Sequence, residues 1–272
     1  MGEITQASVV AYFDREAEKG RCLLPDRETV SGLGSYLKYE HAATLMADGA
    51  VRRALDVGCN RGSIEFLFQT LYPEKAAATA IDGIDVSAQA IRQASELGLQ
   101  NCHFQVYSGS RFPYPSATFD LVVLVEVLEH VPAKEELLRE IQRVLKPGGR
   151  LFLTTPNPEC WALRAELRSW RALRMLFRRP AVAKDEFISH AGLERLIATA
   201  GFTRTEQGPM YAWPRLYLYF LGWSVMPPLP PRALYRYQKL CVRLLDNKSV
   251  PVWLSRRLKW SLVATLEKAP RS

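Results

Sequence analysis

From residue 51 onward, apolar positions fall in two alternating rhythms, short unbroken runs and stretches at helical spacing. The runs Val51–Val57, Ala78–Val86, Cys102–Val106, Phe119–Val125, Arg150–Thr155, Phe202–Gln207 and Trp260–Glu267 read as strands. Between them, Ile64, Phe66, Leu67 and Leu71 mark a helix from Ser63 to Leu71. A second helix opens on Ser87 as N-cap, turns Ala90, Ile91, Ala94 and Leu97 to one face, and stops at Gly98. A third, Ala133 to Leu145, ends in Lys146-Pro-Gly-Gly149, read as helix terminus and turn in one. A fourth follows Ser189, with Leu193, Leu196, Ile197 and Ala200 on one face and Gly201 as its cap. Strands apolar on both faces, separated by helices, predict an α/β protein. Its mostly parallel seven-stranded sheet should be covered by helices on both sides.

The rhythm is broken twice, at residues 157–188 and 211–258, which are expected to be inserts. Residues 1–50 lack strand alternation and read as an N-terminal helical cap, with Tyr36, Tyr39 and His41 on a helix at the edge of the main domain. The main domain is expected over 51–210, and residues 259–272 hold the closing strand and tail.

In an open α/β sheet, ligands bind outside the carboxyl ends of the strands. Here the first strand ends in a loop, Asp56-Val-Gly-Cys-Asn-Arg-Gly62, whose glycines let a ligand approach the main chain. The second ends in Gly83-Ile-Asp-Val-Ser87, where Asp85 can accept both hydroxyls of a ribose. The fourth ends in Glu126-Val-Leu-Glu-His-Val-Pro132.

These pieces, with Phe112-Pro-Tyr-Pro, Thr118-Phe-Asp-Leu-Val122 and Leu145-Lys-Pro-Gly-Gly-Arg150, fall in one order over roughly residues 35–210. In that order the chain resembles the class I S-adenosylmethionine-dependent methyltransferases, in the branch of ubiquinone-pathway and small-molecule or glycan O-methyltransferases. The resemblance implies a Rossmann-like fold and S-adenosyl-L-methionine as cofactor. It also implies roles by position: Gly58, Cys59, Asn60 and Gly62 around the methionine part, Asp56 toward its ammonium group and Asp85 on the ribose. Val86, Ser108 and Gly109 would flank the adenine, with Val125 and Glu126 on the methionyl side. Two positions depart from the family's pattern. Asn60 stands where glycine is common, but asparagine tolerates left-handed dihedrals. Ser108 stands where aspartate is common, and its hydroxyl accepts a hydrogen bond without the charge.

Methyl transfer to a hydroxyl asks the protein to position the acceptor and remove its proton. His130 is the first candidate for that base and His190 the second; His41 and His103 read as structural. The five cysteines form no Cys-x-x-Cys pair and no metal-ligand cluster is visible, so no metal is expected. Nothing resembles the elements that nucleic-acid base methylases place after the fourth strand, so nucleic acid is not expected as a partner.

Charge adds a second theme. Residues 1–157 carry 16 Lys+Arg against 20 Asp+Glu, and residues 158–272 carry 20 against 8. On a helical projection, the six arginines of 161–179 oppose Leu163, Trp170, Leu173, Leu176 and Phe177. Leu216–Met226 is uncharged and aromatic-rich, too short to span a bilayer but able to lie in its interface. The acceptor is therefore expected to be a small molecule, a lipid or a lipid-linked glycan. The regions 161–179 and 216–259 would meet an anionic membrane surface, or pack on the domain or across a homodimer. The start of the chain lacks a basic-then-apolar signal, so a cytoplasmic location is expected, peripheral at the membrane if that surface is used. Two alternatives stay open: a soluble natural-product O- or N-methyltransferase, and a cofactor-binding scaffold or regulator without activity.

Overall fold

The computed structural model describes residues 6–18, 23–25, 30–107, 111–160, 186–206, 216–218, 223–225, 233, 236, 240 and 261–269. Two helices come first, α1 (Gln6–Glu18) and α2 (Val30–Met46). The alternating part then runs β1 (Arg53–Val57), α3 (Ser63–Leu71), the short α4 (Pro73–Ala76), β2 (Ala80–Asp85), α5 (Ala88–Glu96), β3 (Cys102–Val106) and β4 (Phe119–Val125). A 3-10 turn (Leu128–His130), α6 (Lys134–Val144), β5 (Leu145–Pro156), α7 (His190–Thr199) and β6 (Phe202–Glu206) follow. Last come β7 (Leu216–Leu218), β8 (Trp223–Val225) and β9 (Ser261–Lys268).

Seven strands form one sheet in the order β3-β2-β1-β4-β5-β9-β6. The first five pair in parallel, and β9 runs antiparallel to both neighbours. Successive side chains of a strand point to opposite faces. Leu121, Val123 and Val125 of β4 accordingly join a core with Met46 of α2 and Ile64 and Phe68 of α3. Val122 and Leu124 join the opposite core, with Leu138 and Ile141 of α6 and Leu193 and Ile197 of α7. Both faces of β4 are therefore dry, which is why its sequence is apolar without alternation. The neighbours of β1 are β2 and β4, so the chain winds away from β1 in opposite directions. The crevice this opens lies at the strands' carboxyl ends.

Two local expectations need correction. In α3 the buried positions are Ser63, Ile64, Glu65, Leu67 and Phe68, while Leu71 is exposed at the helix end. Lys146-Pro-Gly-Gly149 is not a free turn. Leu145 already pairs with Phe119 and Arg150 with Leu121, so the four residues between them bulge opposite Asp120 alone. The bulge is possible because Gly148 takes φ +73° and Lys146 Nζ reaches Asp120 Oδ1 at 2.7 Å. Helix α2 packs on α3 and on the central strand β4. Within the uncharged stretch 216–226, Leu216–Leu218 and Trp223–Val225 pair as a separate two-stranded antiparallel sheet. The arginine-bearing stretch 161–179 lies outside the described residues.

Candidate active site

The turn after β1 is built by left-handed backbone at Gly58 (φ +79°), Asn60 (φ +50°) and Gly62 (φ +75°). Asn60 holds the position that the sequence left to tolerance, and its own side chain suits it. The amides of Gly58 and Cys59 both donate to the carbonyl of Ile84, at 2.7 and 3.1 Å, tying the loop to the end of β2. A Cβ on Gly58 would lie 2.4 Å from Val127 Cγ2, so glycine is required there by packing as well as by φ.

This loop forms one wall of a cavity of about 590 Å³ at the carboxyl ends of β1, β2 and β4. Gly58, Asn60, Asp85, Val86, Val125, Glu126 and His130 all line it. Of the other positions named from the sequence, Asp56 and Cys59 are buried and are not among the lining residues. Gly62 faces Phe104, Leu97 and Ala94. His190 is not among the lining residues; its Nε2 lies 3.9 Å from Glu194 and its amide donates to Glu159 at 3.3 Å. Ser108 and Gly109 lie outside the described residues. His41 packs against the Phe152 ring, and His103 is exposed beside Asp82.

Asp85 accepts the amide of Asn60 on Oδ2 and that of Ser87 on Oδ1, each at 2.9 Å. Burial raises its carboxyl above the usual range, and these N–H groups work against the rise. Each oxygen keeps a lone pair beyond its amide partner, so the carboxylate can accept two hydroxyls side by side.

Glu126 follows β4 with φ +56°, a left-handed conformation costly for its residue type. Lys38 Nζ at 3.0 Å and Thr154 Oγ1 at 2.9 Å hold its Oε1 there. Lys38 comes from α2 and is 4% exposed. Three residues on, Glu129 is buried and accepts Thr155 Oγ1 at 3.0 Å. Burial and then the Glu126 charge push Glu129 up to about 7, with His130 opposing. His130 Nε2 lies 3.9 Å from Glu129 Oε1, and its ring meets Phe13 of α1 edge-on with centroids 5.2 Å apart. Val131, Pro132, Ala133 and Leu137 extend an apolar wall beyond this pair.

Phe13, Lys38, Tyr39 and Glu129 were given no place in the site from the sequence. Phe13 and Tyr39 belong to helices far away in sequence from the loop, and only the fold brings them to the cavity. Helix α1 is held over α5 by Asp14, which accepts the Ser87 hydroxyl and the Gln89 amide, and by Gln93 on the Ala17 carbonyl. Lys38 carried a readable signal, a cation flanked by Leu37 and Tyr39 in an apolar helix.

The chain matches, over residues 33–207, the family described as a methyltransferase domain. It is 32% identical over 115 residues to the 27-O-demethylrifamycin SV methyltransferase of Amycolatopsis mediterranei (strain S699), covering 39% of this chain and 40% of that protein. It is 36% identical over 122 residues to the ubiquinone biosynthesis O-methyltransferase of Xanthomonas oryzae pv. oryzae (strain PXO99A), covering 43% and 48%. The chain thus spans less than half the length of these curated relatives. A chain of the complex between the Haloferax volcanii Trm112 methyltransferase activator and a methyltransferase shares the fold at a TM-score of 0.59. It is 17% identical, with 95% of this chain and 98% of that one covered. The cyclase SpnF does so at 0.56 and 18% identity, with 97% and 94% covered.

Proposed function

Because the chain belongs to the methyltransferase domain family, we propose that it moves a methyl group from S-adenosylmethionine to a hydroxyl oxygen of an apolar small molecule, a lipid or a lipid-linked sugar. The observation that carries this reading is one cavity that joins the diol-accepting Asp85 carboxylate to His130 on an apolar wall. The residues present suit the cofactor. Asp85 would hold the ribose hydroxyls, Gly58 and Asn60 would lie along the methionine portion, and Val86 would cover the adenine. When bound, S-adenosylmethionine supplies a methyl group on a sulfonium, which a nucleophile displaces to leave a neutral thioether.

The protein's own part is positioning and proton removal. His130 would accept the hydroxyl proton of the acceptor. Glu129 would steady the imidazolium that results, and Phe13 would fix the plane of the ring. The apolar wall would exclude water from the reacting oxygen. Oxygen is favoured as the acceptor atom because the rifamycin and ubiquinone relatives are named as O-methyltransferases. The net positive second half supports an anionic membrane surface or a phosphate-bearing acceptor. Among the described residues, no helix is long and apolar enough to cross a membrane.

Titration calorimetry with S-adenosylmethionine tests the cofactor assignment. Asp85→Ala is expected to weaken binding roughly 10- to 100-fold, through two lost charge-assisted hydrogen bonds. Unchanged binding would remove Asp85 from the site. A screen of hydroxylated acceptors then tests the base. His130→Ala should lower kcat by roughly 10²–10⁴ while cofactor affinity holds; an undiminished rate would end its candidacy. Co-sedimentation with anionic vesicles at low and high salt separates a membrane-surface enzyme from a freely soluble one.

A further inference from the structure

A second cavity, of about 640 Å³, lies between α6 and α7. It shares Pro132, Ala133 and Glu136 with the site cavity, so the two meet just beyond His130. An acceptor that places a hydroxyl at His130 and is longer than one ring therefore has a path over Pro132 and Ala133 into this groove. The chemistry changes along that path. Around His130 the wall is apolar, whereas charged side chains of both signs line the groove.

Most of these charges are already engaged. The Lys134 ammonium reaches the Val131 carbonyl at 2.9 Å and Glu186 Oε2 at 3.0 Å. Arg139 Nη2 meets Glu135 Oε2 at 2.8 Å, one turn apart on α6. Two groups are left over. Among the described residues, the Glu136 carboxylate has no hydrogen-bond or ion-pair partner, and the Arg195 guanidinium uses only Nε, on the Ala191 carbonyl at 3.4 Å. Lys134, Arg139 and Arg195 balance Glu135, Glu136 and Glu186, so these side chains leave the groove no excess of either sign. A phosphate arriving there would meet Glu135 and Glu136 as well as the arginines. An apolar chain would cover Glu136 and Arg195 without giving either a partner, at a desolvation cost. A sugar suits both, because each hydroxyl can donate to a carboxylate and accept from a guanidinium.

We propose that the groove between α6 and α7 is a sugar-binding subsite: the acceptor is a glycoside, with the hydroxyl to be methylated at His130 and a neighbouring sugar unit held between Glu136 and Arg195. Glu136 stands where the two cavities join and accepts hydroxyls of that unit; Arg195 donates to it from α7. The sugar in the groove then fixes which hydroxyl of the acceptor comes to His130. The inference rests on the hydroxyl-methylation reading above and narrows its acceptors to the sugar-bearing class.

Saturation-transfer NMR on the intact chain, with S-adenosylhomocysteine present, tests this. The probes are a panel of methyl glycosides and disaccharides, with inorganic phosphate as competitor. At least one disaccharide is expected to bind, and phosphate should not displace it. Glu136 and Arg195 are both exposed, so Glu136→Gln and Arg195→Ala should leave the fold intact. Each should weaken that disaccharide roughly tenfold or more through a lost hydrogen bond to a charged group. S-adenosylhomocysteine affinity, read by calorimetry, should hold in both variants. Three results would each overturn the proposal: no sugar of the panel binding, an affinity unchanged in either variant, or displacement by phosphate, which would make the groove an anion site. If S-adenosylhomocysteine itself does not bind the native chain, the methyl-transfer reading falls, and this inference with it. If it binds and no sugar does, this inference falls alone.

Discussion

At the scale of single residues, the site is a set of groups held where they would not choose to be. Gly58 combines a left-handed φ with a Cβ position already occupied by Val127. Gly58→Ala should therefore cost about 2–4 kcal/mol from backbone and overpacking together. That would lower Tm by roughly 5–10 °C in a thermal melt, and adding Val127→Ala should return part of the loss. Glu129 gives a pH signature. Its folded value of about 7 exceeds the ordinary carboxyl value, so the folded state holds an extra proton in between. Stability should then fall as pH rises from about 4.5 through 7. Urea midpoints at pH 5 and 8 should differ less in Glu129→Gln than in the native chain. Such residues were only partly legible beforehand. Asp85 was readable as a carboxylate at a strand end, whereas Asn60 entered only as a departure from the family's pattern. Glu65 sits inside the apolar run Ile64-Glu-Phe-Leu-Phe68, and its burial follows from which face α3 turns to the sheet.

At the scale of elements, strands and helices were readable to within a few residues, because burial on both faces enforces unbroken apolar runs. The misread piece, Lys146–Gly149, has turn letters yet is threaded between paired residues, and only the partner strand reveals that. Its anchor is Asp120, which accepts the amides of Arg52 and Arg53 and the Lys146 ammonium, so one carboxylate joins the starts of β1, β4 and β5. Burial alone would raise this carboxyl; Lys146 and the two amides outweigh it and hold it below the ordinary value. Its contribution is present at neutral pH and lost as pH falls through that lowered value. Asp120→Ala should cost roughly 1–3 kcal/mol in urea unfolding at pH 7, and less in acid once that carboxylate is protonated in the native chain. Helix α1 makes a separate case. Asp14→Asn should loosen its hold on Ser87 and Gln89 and weaken acceptor binding more than global stability, read as KM against Tm.

At the scale of the whole molecule, the sequence announced seven strands but not their order. Order is set by which edges meet, and neither periodicity nor spacing encodes that for β9, which pairs with β5 on one side and β6 on the other. Its inner residues Leu262, Ala264 and Leu266 complete the core shared with α6 and α7. Removing residues 261–272 should thus leave β6 without a neighbour and the chain insoluble or unfolded, as judged by gel filtration and circular dichroism. The same arrangement has a meaning for synthesis. On the ribosome, β9 emerges after every other described strand, yet its place is between two that are already out. Until it arrives, β5 presents an open edge, and the nascent chain must wait with that edge unprotected. Chains stalled before residue 261 should accordingly stay sensitive to protease across β6, and gain protection once the final strand has cleared the exit tunnel.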